Sequence, residues 1–537
     1  MTVSRREPLS ILLVQARPDG VHEGGQGTAP PLGLLSIAAY ARAALPAEVS
    51  FRLVDGYFLS DQEILAEARR SRPQLVAMSG LTTAHDRIRR LVRLLGDLQG
   101  VPILLGGPHA TAYPEVCLDH PGTSGVIPGE GEIPFTDFVE HLLGRRPVDQ
   151  VRGLLRRVRG GTVRGPTAPQ LMDLDALPAP ALDLIDPEAY AAVPNDLATI
   201  VLPPHRYLPL FTSRGCPFGC TFCHDIFGRR FRGQSPTRVL DHVERLLERY
   251  GVRDFHLYDD LFNGRKGRLL AFAQEAMRRN LGVRFWFSNG LRADILDREQ
   301  LEAMAHAGVV YFGAAIESAS PRMQRITNKR MDVLRLLENV AIADEVGIFT
   351  TGFLMLGVPG ETREEMELTI RTAAASALHY AYFSVLNPYS GTAIGRAVAE
   401  AGADVSPERM PGGYSSSGAN AAGIPPEEFR TILRQAYRRF WTPRRIVAFA
   451  ARHPDPGGLA AALATPRTAR NMIRRVASVL GAEEPVGAGV SWTLPAPLPA
   501  AVVTLFRRLG TAGALGAGLL HRPAPGIDEG LRKLLTP

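Results

Sequence analysis

The segment Cys216-Pro-Phe-Gly-Cys220-Thr-Phe-Cys223 contains three of the four cysteines of this 537-residue chain, and the fourth is Cys117. This C-x₃-C-x₂-C spacing lets three thiolates reach three irons of one cluster, whereas an all-cysteine [4Fe–4S] site needs a fourth cysteine. No fourth cysteine lies nearby, so one iron would keep an open coordination position. The segment therefore predicts a [4Fe–4S] cluster that can bind a ligand at one iron.

Two other interpretations of these thiols are weaker. A structural zinc site normally has four ligands, and His224 would have to supply the fourth. A disulfide is less expected still, because it would leave one thiol over and nothing marks the chain as secreted.

The composition indicates a multidomain globular protein. Apolar residues make up 45% of the chain, and its length predicts two to four domains. The net charge is +7, but the basic residues are spread out and only three of 61 are lysine, so no nucleic-acid partner is expected.

The apolar runs of the sequence are short. No run reaches about 18 apolar residues, so we expect no transmembrane span. The first apolar run is too short for a signal peptide, and the few cysteines suit the cytoplasm.

Residues 1–145 alternate apolar runs with amphipathic stretches. Strands are expected at 10–15, 51–54, 75–79, 103–105 and 125–127. The alternation predicts a doubly wound, Rossmann-like parallel sheet, in which ligands lie beyond the carboxyl ends of the strands. Small and polar residues follow three strands: Ser79, Gly80 and Thr82; Gly106, Gly107, Pro108 and His109; Gly129, Glu130 and Gly131. Any one of these could be an ordinary tight turn, but three together favour a ligand site. No G-x-G-x-x-G follows the first strand, so a dinucleotide is not expected.

Residues 146–205 are expected to be a linker, with a β-hairpin around Gly160-Gly161 and a proline-punctuated connector at 177–183.

Residues 206–400 repeat a strand–helix unit six times, which predicts a partial (β/α)₆ barrel. Strands are expected at 207–212, 254–258, 284–288, 309–316, 350–357 and 380–386. Active sites of parallel barrels form at the carboxyl ends of the strands. The residues found there are Tyr258, Asp259 and Asp260; Ser288 and Asn289; Glu317; Gly357 and Pro359. A lone carboxylate in such a place usually caps a helix, but four successive strand ends favour a binding site.

Residues 401–537 are expected to be mainly helical, with a loop at 412–423 and a helix pair at 427–451. One interpretation is a helical cap that closes the barrel mouth. The other is an interfacial helix at 499–520 that receives a lipid-like substrate and brings the protein to a membrane surface.

The cysteine segment resembles the signature of the radical SAM superfamily, C-x₃-C-x-aromatic-C, with Phe222 in the aromatic position. The resemblance implies that S-adenosyl-L-methionine (SAM) binds the open iron and is cleaved to a 5′-deoxyadenosyl radical. Matched strand by strand, it places the methionine amino group near 258–260, Ser288 and Asn289 after the third strand, the ribose at Glu317, and the adenine near Phe222, Gly357 and Pro359.

The upstream domain resembles the cobalamin-binding domain of class B radical SAM enzymes over most of residues 8–143. The matching segments are Pro31-Leu32-Gly33, the 79–83 turn, 106–109 and 129–132. Many cobalamin proteins ligate cobalt with the histidine of D-x-H-x-x-G. Here His22 and Gly25 have the H-x-x-G spacing, but Asp19 lies three residues before the histidine instead of two. The segment is interpreted as a loop that leaves the lower cobalt face without a histidine, and the alternative is that His22 approaches cobalt.

Together the two resemblances imply a cobalamin-dependent radical SAM enzyme. The main prediction is a C-methyltransferase that uses methylcobalamin and the deoxyadenosyl radical on an unactivated carbon of a small-molecule, natural-product or lipid-like substrate. The alternative is a cyclase, ring-contracting or oxidative enzyme without methyl transfer, and a non-catalytic cobalamin or Fe–S sensor is a third. An electron donor such as flavodoxin or ferredoxin would reduce the cluster.

Overall fold

The computed structural model describes residues 7–19, 28–193, 206–409, 421–456 and 529–535. Its first sheet has seven strands in the order β2-β1-β3-β4-β5-β6-β7. The parallel strands are β1 (Leu9–Gln15), β2 (Val49–Asp55), β3 (Leu75–Ser79), β4 (Ile103–Gly106) and β5 (Gly125–Ile127). The helices are α1 (Leu32–Ala44), α2 (Asp61–Ser71), α3 (His85–Leu95), α4 (Gly107–Ala112), α5 (Pro114–Leu118) and α6 (Glu132–Leu142).

Helices cover both faces of this sheet. Along β1, Leu12 and Val14 pack into a core with α2 and α3, whereas Ile11 and Leu13 pack into a second core with α1 and α6. Since β1 lies between β2 and β3, the order of the strands reverses beside it, and such a switch point is where open parallel sheets bind ligands. The predicted doubly wound fold is confirmed.

The sheet continues past residue 145, where the sequence suggested a linker. The hairpin β6 (Leu155–Val158) and β7 (Gly161–Arg164) pairs antiparallel with β5 and adds two strands. Further along, the Tyr190 hydroxyl in α7 (Pro187–Ala191) donates a 2.8 Å hydrogen bond to Asp55 at the end of β2. Part of the connecting segment therefore packs as an extension of the first domain.

The second sheet is wholly parallel, in the order β15-β14-β13-β12-β11-β8, as expected of a partial barrel. Its strands are β8 (Leu208–Leu210), β11 (Asp254–Leu257), β12 (Arg284–Leu291), β13 (Val309–Glu317), β14 (Phe349–Leu356) and β15 (Tyr380–Val385), and a short ribbon of β9 (Ser213–Arg214) and β10 (Arg232–Gly233) flanks β8. The helices are α8 (Pro236–Tyr250), α9 (Lys266–Arg279), α10 (Arg298–His306), α11 (Pro321–Ile326), α12 (Val333–Glu345), α13 (Arg363–Ala375) and α14 (Ala393–Glu400).

Two strands are longer than predicted. β12 runs to Leu291, so Ser288 and Asn289 lie within the strand and not after it. β13 ends on Glu317 itself, which has a positive φ of 61° beside a register shift. The short helix α11 was not predicted from the sequence.

The C-terminal region contributes the expected helix pair, α15 (Pro426–Phe440) and α16 (Pro443–Arg452), followed by α17 (Glu529–Leu535). Phe440 of α15 joins the barrel core, and Phe449 of α16 packs on Trp286 and Phe349 near the amino ends of their strands. These two helices therefore do not close the barrel mouth, because they cover its outside and its amino-terminal end.

The structure does not describe every segment that the sequence analysis singled out. The segment that carries His22, most of the 412–423 loop and the 499–520 stretch lie outside the described residues. Within the described part of the chain, no helix has the length and apolar character needed to cross a membrane.

Candidate active site

The cysteine loop leaves β9 through a turn that only glycine can make. Gly215 has φ 81°, and a Cβ there would lie 2.3 Å from the carbonyl oxygen of Arg230. Its N–H donates a 3.0 Å hydrogen bond to Asp260, and the Cys216 N–H donates to Gly228. Asp260 thus fixes the backbone just before the first cluster cysteine.

Asp259 supports the same loop from within the protein. Its buried carboxylate accepts hydrogen bonds from the Thr212 N–H, the Thr212 hydroxyl and the Ser213 hydroxyl, at 2.6 to 2.7 Å. The predicted site residue Asn289 donates to the Asp259 carbonyl at 3.0 Å. Asp259 is one of the residues expected to hold the methionine amino group, but in the structure its carboxylate positions the cysteine loop.

Ser288 and Tyr258 are also predicted site residues that the barrel buries. The Ser288 hydroxyl lies 2.9 Å from Nδ1 of His256 on the adjacent strand β11, and the Tyr258 N–H donates to the Leu210 carbonyl. Both residues help to join neighbouring strands just below the cysteine loop.

The three cysteines come together, and Cys117 stays apart. A hydrogen bond with Cys223 lowers the pKa of the Cys220 thiol to about 6, and Cys216 interacts electrostatically with Cys220. Cys117 is buried in the core of the first domain. Zinc would hold its sulfur ligands about 3.8 Å apart in a tetrahedron. Among the described residues, one set of three His, Cys, Asp or Glu side chains has its ligand atoms within 4.8 Å of one another, and this set does not include the cysteines. The three cysteine sulfurs are therefore spaced more widely than a zinc site requires.

Lys329 lies beside the cysteines, and its role was not predicted. Its ammonium donates a 3.1 Å hydrogen bond to Glu317 and lies 5.9 Å from the centre of the Phe222 ring. Burial opposes its charge, but Glu317 and the thiolates of Cys220 and Cys223 outweigh burial and raise the pKa of Lys329. The signal in the sequence was its rarity, since it is one of three lysines.

The 357–361 loop is shaped by Glu361, another residue that the sequence did not single out. The Glu361 carboxylate accepts the Gly357 N–H at 2.7 Å and the Val358 N–H at 3.2 Å. Burial raises its pKa to about 8. Phe222 packs against Val358, whereas Pro359 is only partly buried on the open side of this loop. The two backbone donors are consequently occupied within the protein.

The first sheet presents a glycine-lined edge. A Cβ on Gly107 would lie 2.1 Å from the Ser79 hydroxyl oxygen, so the turns after β3 and β4 touch there. At the start of α1, Leu32 is partly buried and Gly33 is exposed, with no atom within 4 Å of a Cβ added there. The other predicted residues of this edge are Gly80 and buried Thr82 after β3, Gly106 and Pro108 around the start of α4, and Gly131 before α6.

Glu130 and Glu132 connect this edge to the cysteine loop. Arg214 in β9 donates a 2.7 Å hydrogen bond to Glu130 and also pairs with Glu132, and Arg232 in β10 pairs with Glu130. Both arginines are buried. Glu130, predicted to bind cofactor, is thus engaged by two guanidinium groups, and the network fixes the cluster segment against the first domain.

Known proteins agree with this architecture. The family model of the radical SAM superfamily matches residues 210–373, and that of the B12 binding domain matches residues 25–139. The uncharacterized methyltransferase PH0819 of Pyrococcus horikoshii is 30% identical over 393 residues, which is 72% of this chain and 82% of that protein. The chain belongs to the radical SAM superfamily, in the branch with a B12-binding domain.

Two further matches are a relative with a different named reaction and a solved structure of the same fold. The anaerobic magnesium-protoporphyrin IX monomethyl ester cyclase of Rubrivivax gelatinosus is 27% identical, over 66% of this chain and 64% of the cyclase. The solved structure of TsrM from Kitasatospora setae, a radical SAM methyltransferase with cobalamin and a [4Fe–4S] cluster, superposes with a TM-score of 0.59 at 21% identity. It covers 73% of this chain and 75% of that one. The second match supports the fold.

The cofactors of this radical SAM chain are a [4Fe–4S] cluster, SAM and cobalamin. The residues fit them. Three cysteines without a fourth partner suit a cluster with one open iron. At the first sheet, the open space over Gly33 leaves backbone accessible to a bulky ligand at a switch point.

Proposed function

We propose that this radical SAM enzyme transfers a methyl group to an unactivated carbon of a small molecule. The observation that carries the proposal is the Arg214–Glu130 ion pair at 2.7 Å, which joins the cluster segment to the cobalamin edge of the first sheet. One bound substrate can then face both cofactors. When bound, SAM at the reduced cluster supplies a hydrogen-abstracting radical, and cobalamin supplies the methyl group.

Lys329 and Glu317 are the residues that we assign to SAM. The Lys329 ammonium, 7% exposed, would bind the SAM carboxylate through a charge-assisted hydrogen bond. Glu317 would accept hydrogen bonds from the ribose hydroxyls. A positive φ in a non-glycine residue costs about 1 kcal/mol or more, and residues with such strain cluster at functional sites, in keeping with this role.

Phe222 would pack against the adenine. Because Glu361 occupies the N–H groups of Gly357 and Val358, polar contacts with the adenine would have to come from elsewhere on the 357–361 loop. This assignment makes Glu361 a positioning residue, since it sets the loop without touching SAM.

Cobalamin would lie across the carboxyl edge of the first sheet, over α1 and the turns after β3, β4 and β5. Gly33 and Gly129, where an added Cβ would have room, would let the chain approach the corrin closely, whereas the space beside Gly80 and Gly107 is filled by Ile88 and Ser79. The His109 ring is buried against His85, so we place no histidine on the lower face of cobalt from the described residues.

A second candidate is a cyclase or oxidative reaction that ends without methyl transfer. The similarity to the Rubrivivax gelatinosus cyclase favours keeping it. We also propose that the cluster receives its electron from a small donor protein such as flavodoxin or ferredoxin.

Product analysis distinguishes these functions. The reconstituted enzyme is incubated with a flavodoxin reducing system, cobalamin and [methyl-¹³C]SAM. Methyl transfer predicts labelled cobalamin with release of S-adenosylhomocysteine, together with 5′-deoxyadenosine from the cluster. Formation of 5′-deoxyadenosine without S-adenosylhomocysteine would favour the cyclase class. If neither compound formed, the result would contradict an enzymatic role. The Cys220→Ala variant is the control, because it should lose deoxyadenosine.

A further inference from the structure

A cluster of three histidines lies in the first domain beside the predicted cobalamin edge, to which the sequence analysis assigned one of them, His109. His85 begins α3, His109 lies in α4, and His120 follows α5. They are 3%, 1% and 6% exposed. Within the described residues, these are the three metal-ligating side chains that offer ligand atoms all within 4.8 Å of one another.

The geometry of the cluster is close to that of a metal site. Nδ1 of His85 lies 3.0 Å from Nε2 of His109. Imidazole nitrogens bound to a tetrahedral zinc ion at 2.0–2.1 Å are about 3.3 Å apart, so a small movement of one ring would admit the ion.

Two ring nitrogens of the cluster lack a hydrogen-bond partner. Nδ1 of His109 and Nε2 of His120 are buried, and neither bonds to any group. A buried polar atom left in this state costs about 1–3 kcal/mol. A cation bound to Nε2 of His120 would give that atom a partner and offset part of the cost, whereas His109 would coordinate through Nε2, which faces His85.

Glu408 supplies the outer contact that metal-binding histidines usually have. Its carboxylate lies 3.1 Å from Nε2 of His85. If Nε2 carries the proton, the lone pair of Nδ1 points toward His109, and this tautomer is the one required for a ligand. The Glu408 side chain is half exposed, which gives an ion a route to the cluster.

The charge of the cluster also suits a cation. All three side chains are imidazoles, which bind metal in their neutral form. Glu408 contributes the nearby negative charge, and Arg89 is the cation that interacts with His120.

We propose that His85, His109 and His120 bind one Zn²⁺ ion, with Glu408 orienting His85. The site lies where the first domain meets the 404–408 segment, and the Tyr113 hydroxyl donates to the Val405 carbonyl at 2.9 Å beside it. The ion would fasten this segment, which follows the barrel, to the first domain. The proposal does not depend on the reaction that the enzyme catalyses.

Metal analysis tests the site. The holoenzyme, with cluster and cobalamin in place, is mixed with ZnSO₄ and desalted, and iron, cobalt and zinc are counted separately by mass spectrometry. Wild type should hold about one zinc ion per chain. His85→Gln and His120→Gln should lose it, whereas the exposed control His306→Gln should keep it. The variant with all three cluster cysteines changed to Ala should also keep the zinc ion. This control excludes zinc bound by cysteines in molecules that lack the cluster.

X-ray absorption at the zinc edge gives a readout that needs no variant. Three nitrogen neighbours at about 2.0–2.1 Å would support the site. Zinc absent from the wild type, sulfur in the first shell, or equal zinc in His120→Gln would overturn it. Nitrogen coupling in the cobalt(II) EPR spectrum that His109→Gln removes would also overturn it, because the ring would then ligate cobalt.

Discussion

Arg214 lies two residues before the first cluster cysteine and donates a 2.7 Å hydrogen bond to Glu130 on the other domain. The same guanidinium pairs with Glu132, which also accepts a 2.7 Å hydrogen bond from Ser36 in α1. Burial opposes the charge of Glu132, but Arg214 outweighs it and lowers the pKa of this carboxyl group. The relative position of the two cofactor regions therefore depends on a buried set of charges.

The Arg214→Met variant should separate the two domains more easily. Removing one partner of a buried ion pair leaves the other uncompensated and costs about 3–5 kcal/mol. We expect a lower unfolding temperature and loss of cobalamin on gel filtration. The control is Arg278→Met, whose exposed pair with Glu275 contributes little to stability. Equal behaviour of the two variants would show that the Arg214 network does not hold the domains together.

Iron content should distinguish the four cysteines. Ala at Cys216, Cys220 or Cys223 removes a cluster ligand, so each variant should lose the four irons per chain expected of a [4Fe–4S] cluster after anaerobic reconstitution. Cys117→Ala should keep them, because Cys117 is fully buried in the first core and burial raises its pKa to about 12. An intact cluster in the triple variant would contradict the assignment.

The Lys329→Met variant should bind SAM at least about tenfold more weakly. A hydrogen bond to a charged group contributes about 1.5–3 kcal/mol, and about 1.4 kcal/mol corresponds to a factor of ten in affinity. Calorimetric titration of the reconstituted protein measures the change, with iron content checked in the same sample. Lys266→Met, a change at an exposed lysine on α9, is the matched control. Unchanged SAM affinity at equal iron would remove Lys329 from the site.

Stability should fall with pH because of Glu361. Burial raises its pKa from 4.5 to about 8, so the folded protein holds a proton that the unfolded chain releases. The stabilisation is complete below pH 4.5 and is lost as pH rises through 8. The Glu361→Gln variant has no such proton. The difference in unfolding temperature between this variant and the wild type should therefore shift in favour of the variant as pH rises from 6 to 9. Glu364→Gln, at an exposed neighbour, should follow the wild-type profile.

The cobalt(II) form of the bound cobalamin should show no nitrogen superhyperfine coupling in its EPR spectrum. The His109 ring is 1% exposed and bonds to His85, so it is not available to the lower cobalt face. Coupling that persists in His109→Gln would assign the nitrogen either to another histidine, of which His22 is the candidate from the sequence, or to the dimethylbenzimidazole base of cobalamin itself.

The strands could be predicted because each is a short, continuous apolar run between turn residues. The runs 75–79 and 125–127 have the predicted bounds. Glycines at strand ends also led to a predicted ligand edge on the first sheet, which stays a prediction. What could not be predicted are contacts between distant parts of the chain. Arg214 and Glu130 are 84 residues apart, and no local pattern sets how two domains dock.

The same limit explains the residues that the sequence analysis missed. His85 opens a helix and looks like an ordinary polar residue there, and only packing brings it to His109 and to Glu408, which is 323 residues away. The resemblance matched Asp259, after a strand, to the methionine amino group, and that assignment stays a prediction. Its hydrogen bond with the Thr212 hydroxyl is a contact that local periodicity does not reveal.

The scarcity of lysine has a practical consequence. Lys266 and Lys533 are exposed, whereas Lys329 is buried and protonated beside the cysteines and is therefore a poor nucleophile. An amine-reactive dye or cross-linker would attach at Lys266, Lys533 and the terminal amino group, away from Lys329. Fluorophores or surface tethers can thus be introduced without thiol chemistry, which would attack the cluster cysteines.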